Sequence, residues 1–186
     1  MNIWKFNSAV NGYTAFLQMT GQTDDGDIFL TDGTPVNWPS RPKIHPHLEK
    51  NKKKQMPLAD LSYISPGTIL LNRKAYDALN SFLSPFGQLL EVECMNDGGL
   101  LGDKVSEIYY FYNVTNIIAC IDFEKSEKIG HKIIKEAFFA DRIPTDVQIF
   151  RDPVRLRTQI YLTESAKEQF AKLIADAGLV GGKFFQ

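Results

Sequence analysis

The residues of this sequence with the clearest chemical potential are aspartates in two turn-forming segments. Asp24, Asp25 and Asp27 share the first segment, and Asp97 and Asp103 flank a glycine-rich second one. Carboxylates bind calcium in EF-hand loops, but the order of ligands and the closing glutamate of such a loop are missing. Acidic loops also complement basic clefts on partner proteins. We therefore predict that these five aspartates bind a partner, with ordinary solvated turns as the alternative.

Histidine and cysteine, the residues that most often bind metals or act as nucleophiles, are sparse in this chain. His45 and His47 are separated by one proline, but the pattern lacks the further ligands that a metal site needs. Cys94 and Cys120 both lie among strand-forming residues, which favours two buried free thiols over a disulfide. The sequence therefore predicts neither a metal nor a cofactor.

Known catalytic and phosphate-binding motifs are also incomplete. The glycines of residues 98–104 lack the Gly-Lys-Ser/Thr ending of a phosphate-binding loop, and residues 40–43 match Ser-x-x-Lys without its partner motifs. This pattern predicts a protein that is not an enzyme. The rival hypothesis, a small enzyme of unknown reaction, would be supported by a cleft that brings together Tyr110, Asp122 and His131 with perturbed titration.

The charge distribution argues against nucleic acid and membrane partners. The formal net charge is −1, and the lysines of residues 50–54 lack interleaved aromatic residues for base stacking, which favours a solvated loop. The longest apolar run, residues 117–121, is far shorter than the ~20 residues that span a bilayer. The N-terminus has no signal-peptide pattern, so the predicted location is the cytoplasm.

Strands and irregular connections are predicted around these residues. Residues 13–19 and 27–31 carry branched and aromatic side chains typical of strands. Residues 35–57 contain five prolines, which remove amide donors and predict an irregular surface connection. Residues 88–94 and 108–123 predict an antiparallel pair around the glycine-rich loop.

Two helices are predicted from capping residues and apolar spacing. Asn72 is placed to cap the first helix, and Thr163 or Ser165 to cap the second. Ser165 and Glu168 have the spacing of a capping box, and Gly178 suits a left-handed helix end. The second helix has an apolar stripe that predicts a buried face, formed by Ala166, Phe170, Leu173, Ile174 and Ala177.

Strands and helices that are mixed without regular alternation favour an α+β fold. We predict a largely antiparallel sheet with a few helices packed on it. The prolines suggest a division into residues 1–56, which form N-terminal strands and a proline-rich connection, and a main domain of residues 57–186, on which the first part packs.

Four stretches of the main domain occur in an order and spacing that resemble a known family. They are residues 61–79, residues 109–115 with 120–126, residues 149–151, and residues 160–165 with 177–184. The family is Immunity protein family 11, a domain of unknown function in bacterial polymorphic toxin systems. Four polar or glycine positions match its pattern and are interpreted as structural: Asn113, Asp122, Ser126 and Gly178.

The resemblance implies an immunity protein that binds a cognate toxin in the cytoplasm and neutralises it by occlusion. It supplies no catalytic motif, in agreement with the incomplete motifs above. A regulatory or structural subunit with a partner other than a toxin is a further alternative. Holding a toxin at very low free concentration requires a binding free energy of about −12 kcal/mol, which corresponds to nanomolar affinity.

Overall fold

The computed structural model describes residues 2–8, 12–19, 29, 32–48, 55–96 and 104–186. Within these residues the chain forms twelve strands and two α-helices, and most strand pairs are antiparallel, which confirms the predicted α+β fold. The first six strands are β1 (Ile3–Ser8), β2 (Phe16–Gln18), β3 (Lys43–Pro46), β4 (Leu61–Ser62), β5 (Ile69–Leu71) and β6 (Gly87–Met95). The other six are β7 (Ser106–Val114), β8 (Ile121–Ile129), β9 (Lys132–Phe138), β10 (Ile149–Phe150), β11 (Ile160–Thr163) and β12 (Gly182–Phe185). The helices are α1 (Arg73–Leu83) and α2 (Glu164–Asp176).

A four-stranded antiparallel sheet joins the two ends of the described chain. Its order is β10-β11-β1-β12, so the first strand lies between strands from the last third of the sequence. Phe6 of β1 pairs with Ile160 on one side and with Phe184 on the other. The N-terminal strand is therefore an interior member of this sheet.

The six-stranded sheet has the order β2-β3-β6-β7-β5-β4. The predicted pairing of residues 88–94 with the following β-rich segment is confirmed, because β6 and β7 pair antiparallel from Gly87 opposite Val114 to Met95 opposite Ser106. The predicted strand 108–123 is wrong in its extent. It divides into β7 and β8, with residues 115–120 between them.

The prediction that residues 35–57 form only an irregular connection is also wrong. β3 lies within this segment and pairs with β2 on one side and, in parallel, with β6 on the other. Pro42 and Pro46 stand at the two ends of the strand, where a missing amide donor costs little. The carbonyl of Pro42 accepts a bond from the amide of Glu93 at 2.8 Å. Prolines can therefore flank a short interior strand without interrupting it.

Both helices pack on the main core between the two larger sheets. Asn72 caps α1 as predicted, since its side-chain oxygen accepts a bond from the amide of Ala75 at 2.9 Å. The ring of Phe170 on α2 lies 4.9 Å from that of Phe6 and 5.6 Å from that of Phe82 on α1, between ring centroids. Of the predicted stripe, Ala166 and Phe170 are fully buried, while three members are partly buried against the same core: Leu173, Ile174 and Ala177.

The ends of α2 match the prediction only in part. The helix begins after Thr163, but the Thr163 hydroxyl accepts a bond from the amide of Gln148 and donates to the carbonyl of Asp146 rather than capping the helix. Ser165 lies inside the first turn, so the predicted capping box is wrong. Gly178 ends the helix with a φ of +57°, as expected of a left-handed cap.

A two-stranded ribbon, formed by β8 and β9, makes up the third sheet. Its ladder is interrupted by an irregularity between Asp122 and Glu127. There the Ser126 hydroxyl donates to the carbonyl of Asp122 at 2.7 Å and accepts from the amide of Ala137 at 3.0 Å. The Asp122 side chain accepts a bond from the amide of Lys125 at 3.2 Å. Asp122 and Ser126 therefore satisfy backbone groups at this irregularity.

Arg151 is the largest fully buried side chain of the described chain. Its guanidinium donates to the carbonyls of Gly67 and Leu156, both at 2.6 Å. Burial lowers the pKa of Arg151 to about 10, so the group remains charged at neutral pH. Arg151 thereby ties the turn before β5 to the segment before β11.

Candidate functional site

The outer face of the six-stranded sheet carries an apolar surface at the end where β2, β3 and β6 run side by side. Leu17 pairs with His45, and the amide of Met19 bonds to the carbonyl of Lys43 at 3.1 Å. In the parallel pair of β3 and β6, Ile44 is opposite Cys94. Continuing this register by one residue places His45 beside Met95. Because side chains alternate along strands, Leu17, Met19, His45 and Met95 share one face. Lys43 and Glu93, which are partners across β3 and β6, lie on the same face and make it mixed rather than wholly apolar.

The opposite face of the same strands is buried. Phe16, Ile44 and Cys94 alternate with the residues above and are completely inaccessible to solvent, in a core cluster that also contains Tyr109 and Phe111. The apolar side chains of the outer face are therefore not required to fill this core. An apolar outer face on a rigid, well-packed sheet is the arrangement expected of a contact surface.

A depression of about 440 Å³ lies on this outer face. Its lining is formed by Met19, His45, Met95, Asn96 and Val105. Val105 is 80% exposed and Leu17 is 40% exposed, while Met19, His45 and Met95 are partly buried. We call Leu17, Met19, His45, Met95 and Val105 the methionine face. Methionine side chains are flexible and polarisable, and they adapt to the shape of a partner.

The five aspartates predicted to bind a partner, Asp24, Asp25, Asp27, Asp97 and Asp103, lie outside the described residues, and so do the lysines of residues 50–54. Residues that directly precede two of these segments are described and line the depression. The depression is lined by Met19, just before residues 20–28, and by Asn96, just before residues 97–103. The side chain of Asn96 donates to the carbonyl of Lys104 at 2.6 Å, which closes the base of the second segment.

The structure also bears on the candidate metal ligands. His45 donates from Nδ1 to the carbonyl of Pro46, 3.2 Å away, and His47 is exposed just beyond the end of β3. Within the described part of the chain, no three side chains of histidine, cysteine, aspartate or glutamate gather into a metal-binding group.

Both cysteines are buried free thiols, as predicted. Burial, reinforced by the charge of Glu107, raises the pKa of Cys94 to about 12. Burial, reinforced by Asp152, raises the pKa of Cys120 to about 12. Each thiol is therefore protonated at neutral pH, and a protonated thiol is a poor nucleophile and a poor metal ligand.

The three residues of the rival enzyme hypothesis lie on different parts of the fold. Tyr110 stacks on Tyr76 of α1, with ring centroids 3.7 Å apart. Asp122 stands at the base of the ribbon, and His131 lies in the turn at its tip. The structure does not bring this constellation together into one cleft.

Comparison of the sequence with models of known protein families finds no match, and comparison with curated proteins finds no significant similarity. The candidate site therefore rests on its geometry. Among the described residues, no helix is long and apolar enough to cross a membrane.

The methionine face was not predicted from the sequence. Its members come from four separate segments, and only the register of β2, β3 and β6 brings them together. One signal was available, because Leu17 and Met19 alternate with Phe16 and Gln18 in a strand pattern with apolar residues on both faces. A strand that is apolar on both faces is either fully buried or carries a contact surface.

A second, smaller cavity of about 230 Å³ lies where the two larger sheets meet. Its lining includes the side chains of Ser8, Tyr63, Thr68 and Thr158. The Ser8 hydroxyl donates to the carbonyl of Thr68 at 3.2 Å, and the Thr68 hydroxyl donates to the carbonyl of Ser65 at 2.6 Å. These hydroxyl donors are committed to the fold, so the cavity is a weaker candidate than the methionine face.

Proposed function

We propose that this chain is a non-enzymatic immunity protein that binds a cognate bacterial toxin and occludes it. The observation that supports this most directly is the methionine face, a partly exposed surface with apolar members and a depression of about 440 Å³ on a well-packed sheet. Protein interfaces are centred on apolar side chains that lose contact with water on binding, surrounded by a polar rim. The family resemblance of residues 57–186 suggests the toxin as partner.

Acidic loops beside the methionine face would suit a partner whose surface is both apolar and basic. Asp97 directly follows Asn96 of the depression and Asp103 lies two residues before Val105, whereas Asp24, Asp25 and Asp27 follow Met19 by five to eight residues. Acidic side chains there would form a charged rim around the apolar centre. Such a rim speeds association with a basic partner, while the apolar centre supplies most of the affinity.

The direct test starts from the neighbouring reading frame, which on this proposal encodes a toxin-like protein, and co-expresses that protein with this chain. We expect the wild-type protein to rescue growth and to co-purify with the toxin in a stoichiometric complex of nanomolar affinity. Val105→Asp puts a charge at the centre of the proposed interface and should weaken binding by at least about 10-fold, with loss of rescue.

Val180→Asp is the matched control, because Val180 is also an exposed valine but lies outside the methionine face, after α2. It should bind and rescue like the wild type. Absence of both a complex and rescue for the wild-type protein would refute the immunity function. A normal complex that Val105→Asp leaves unchanged would refute only the assignment of the surface.

A further inference from the structure

The tip of the ribbon exposes large apolar side chains. Ile129 is 71% exposed and Ile134 is 52% exposed, beside a two-residue turn in which Gly130 has a φ of +60°. Phe123 is 41% exposed, and the ammonium of Lys128 lies 4.0 Å from the centre of its ring. Ile129 and Ile134 lie near the tip and Phe123 near the base of an arm whose strands pair only with each other among the described strands.

The base of this arm is firmly anchored. The Asp152 carboxylate accepts bonds from the amides of Cys120 and Ile121 at 2.7 and 2.8 Å. Nearer the tip, the carbonyl of the buried Ile133 accepts a bond from the Arg155 guanidinium at 2.6 Å. An isolated hairpin is marginally stable in water, so these contacts are what hold the ribbon in shape. An arm that is already ordered loses little entropy on binding.

The sequence of β8 is complementary to itself. Residues 123–129 read Phe-Glu-Lys-Ser-Glu-Lys-Ile. A two-fold axis at Ser126 sets Phe123 of one copy opposite Ile129 of the other. The same axis sets Glu124 opposite Lys128, and Lys125 opposite Glu127. Each of these three pairs is therefore either apolar or oppositely charged and occurs twice by symmetry, while Ser126, which is buried, meets its own copy once on the axis.

We propose that the ribbon is a dimerisation arm whose partner is the β8 strand of a second copy of this chain. Over residues 121–138 the four lysines balance the four acidic residues, so the arm does not repel itself. Glu124, Lys125 and Glu127 are exposed, but Lys125 pairs with Asp122 and Glu127 with Lys135, each at 3.4 Å. These two residues would exchange partners on dimerisation. The ladder between β8 and β9 is irregular after Asp122, so β8 is not a regular strand there. The proposed contact between two β8 strands therefore rests mainly on side chains.

The size of the arm sets the expected strength. Nine residues of strand span about 30 Å, which gives a footprint well below the ~800 Å² that each partner buries in a stable complex. We therefore expect dimerisation in the micromolar range. Sedimentation equilibrium of the full chain between about 1 and 200 μM should show a monomer–dimer equilibrium.

A charge-swap series tests the pairing itself. Lys128→Glu puts an acid opposite Glu124 at two places in the dimer and should weaken dimerisation by about 10-fold or more. The double substitution Glu124→Lys with Lys128→Glu restores opposite charges and should restore most of the lost affinity. A fold defect would not be rescued in this way. Val180→Asp, a substitution of an exposed valine elsewhere, should leave the equilibrium unchanged.

A wild-type protein that remains monomeric up to 200 μM would overturn the proposal. A dimer that Lys128→Glu leaves intact, or that the double substitution fails to restore, would also overturn it. Either result is independent of toxin binding, because the measurement uses this chain alone.

Discussion

Glu136 lies between two cations where the ribbon meets the four-stranded sheet. Its carboxylate is 2.6 Å from the ammonium of Lys5 and 3.3 Å from Nε of Arg155. Burial alone would raise the pKa of Glu136, but the hydrogen bond from Lys5, a backbone hydrogen bond and the two positive charges together outweigh it. The net pKa is lowered, so the ionised carboxylate stabilises the folded state.

This pKa shift predicts a pH-dependent contribution to stability. A lowered folded pKa means that the contribution is complete above the unfolded pKa of about 4.3 and is lost as pH falls through the folded value. Glu136→Gln should reduce the free energy of unfolding by about 1.5–3 kcal/mol at pH 7. The difference from wild type should shrink below about pH 4. Urea titrations at several pH values would measure it.

The control for this prediction is Glu168→Gln, which neutralises an exposed carboxylate on α2. It should change stability by less than about 0.5 kcal/mol at every pH. A difference between wild type and Glu136→Gln that stays constant from pH 7 to pH 3 would contradict the role assigned to the ionised carboxylate.

The neighbouring sequence predicts the burial of some residues but not of others. Cys94 and Cys120 stand in apolar strand patterns, and their burial was predictable for that reason. The burial of Arg151 was not predictable. Its guanidinium depends on the carbonyl of Gly67, far away in the sequence, and on that of Leu156, which lies in an irregular segment. Local composition predicts burial of apolar groups, whereas burial of a charge depends on partners that only the fold supplies.

Among the elements, α2 provides the sharpest test of packing. Phe170 is fully buried among the rings of Phe6, Phe82 and Phe184, whereas Leu173 is only partly buried against the same core. Phe170→Ala should therefore destabilise the protein by about 3–5 kcal/mol, and Leu173→Ala by about 2 kcal/mol. Denaturant titrations would compare the two.

Lys172→Ala is the control within the same helix, because Lys172 is exposed and forms only an i,i+4 ion pair with Asp176. Its effect should stay below about 0.5 kcal/mol. Equal losses for Leu173→Ala and Phe170→Ala would show that the exposed side of the stripe packs more tightly than the structure indicates.

A helix or strand could be predicted from the sequence when the residues that stabilise it are its neighbours in the chain. α1 and the end of α2 were predictable because Asn72 and Gly178 act on adjacent backbone groups. β3 was missed because its stability comes from β2 and β6, far away in the sequence, and its prolines fall at the strand ends. The methionine face depends on the same long-range register and was missed with it.

At the scale of the whole molecule, the chain ends meet in one sheet and the candidate surfaces lie on different parts of the fold. β1 lies between β11 and β12 in the four-stranded sheet, while the methionine face belongs to β2, β3 and β6 of the six-stranded sheet. The ribbon forms a sheet of its own. On the two proposals, the methionine face contacts the toxin while the arm contacts a second copy, and the two contacts use different sheets.

The charge of the whole molecule leads to the last prediction, which concerns the rate at which the proposed complex forms. Residues 41–54 carry six basic residues and one acid, so the rest of the chain is acidic despite the net charge of −1. If the predicted aspartates surround the methionine face, they attract a basic toxin over distances of about a Debye length, roughly 10 Å in 0.1 M salt. Replacing Asp24, Asp25 and Asp27 with asparagine should therefore slow association about 10-fold at low salt and leave dissociation nearly unchanged.

The matched control removes three exposed carboxylates elsewhere, by Asp141→Asn, Glu168→Gln and Asp176→Asn. It changes the net charge equally but should reduce the association rate much less, because steering depends on where the charge lies. Stopped-flow or surface-based kinetics at two salt concentrations would separate the two variants, and added salt should remove the advantage of the wild type. Association rates that respond to neither the aspartates nor salt would exclude electrostatic steering by these loops. The lysines of residues 50–54 would then be the next charged segment to test.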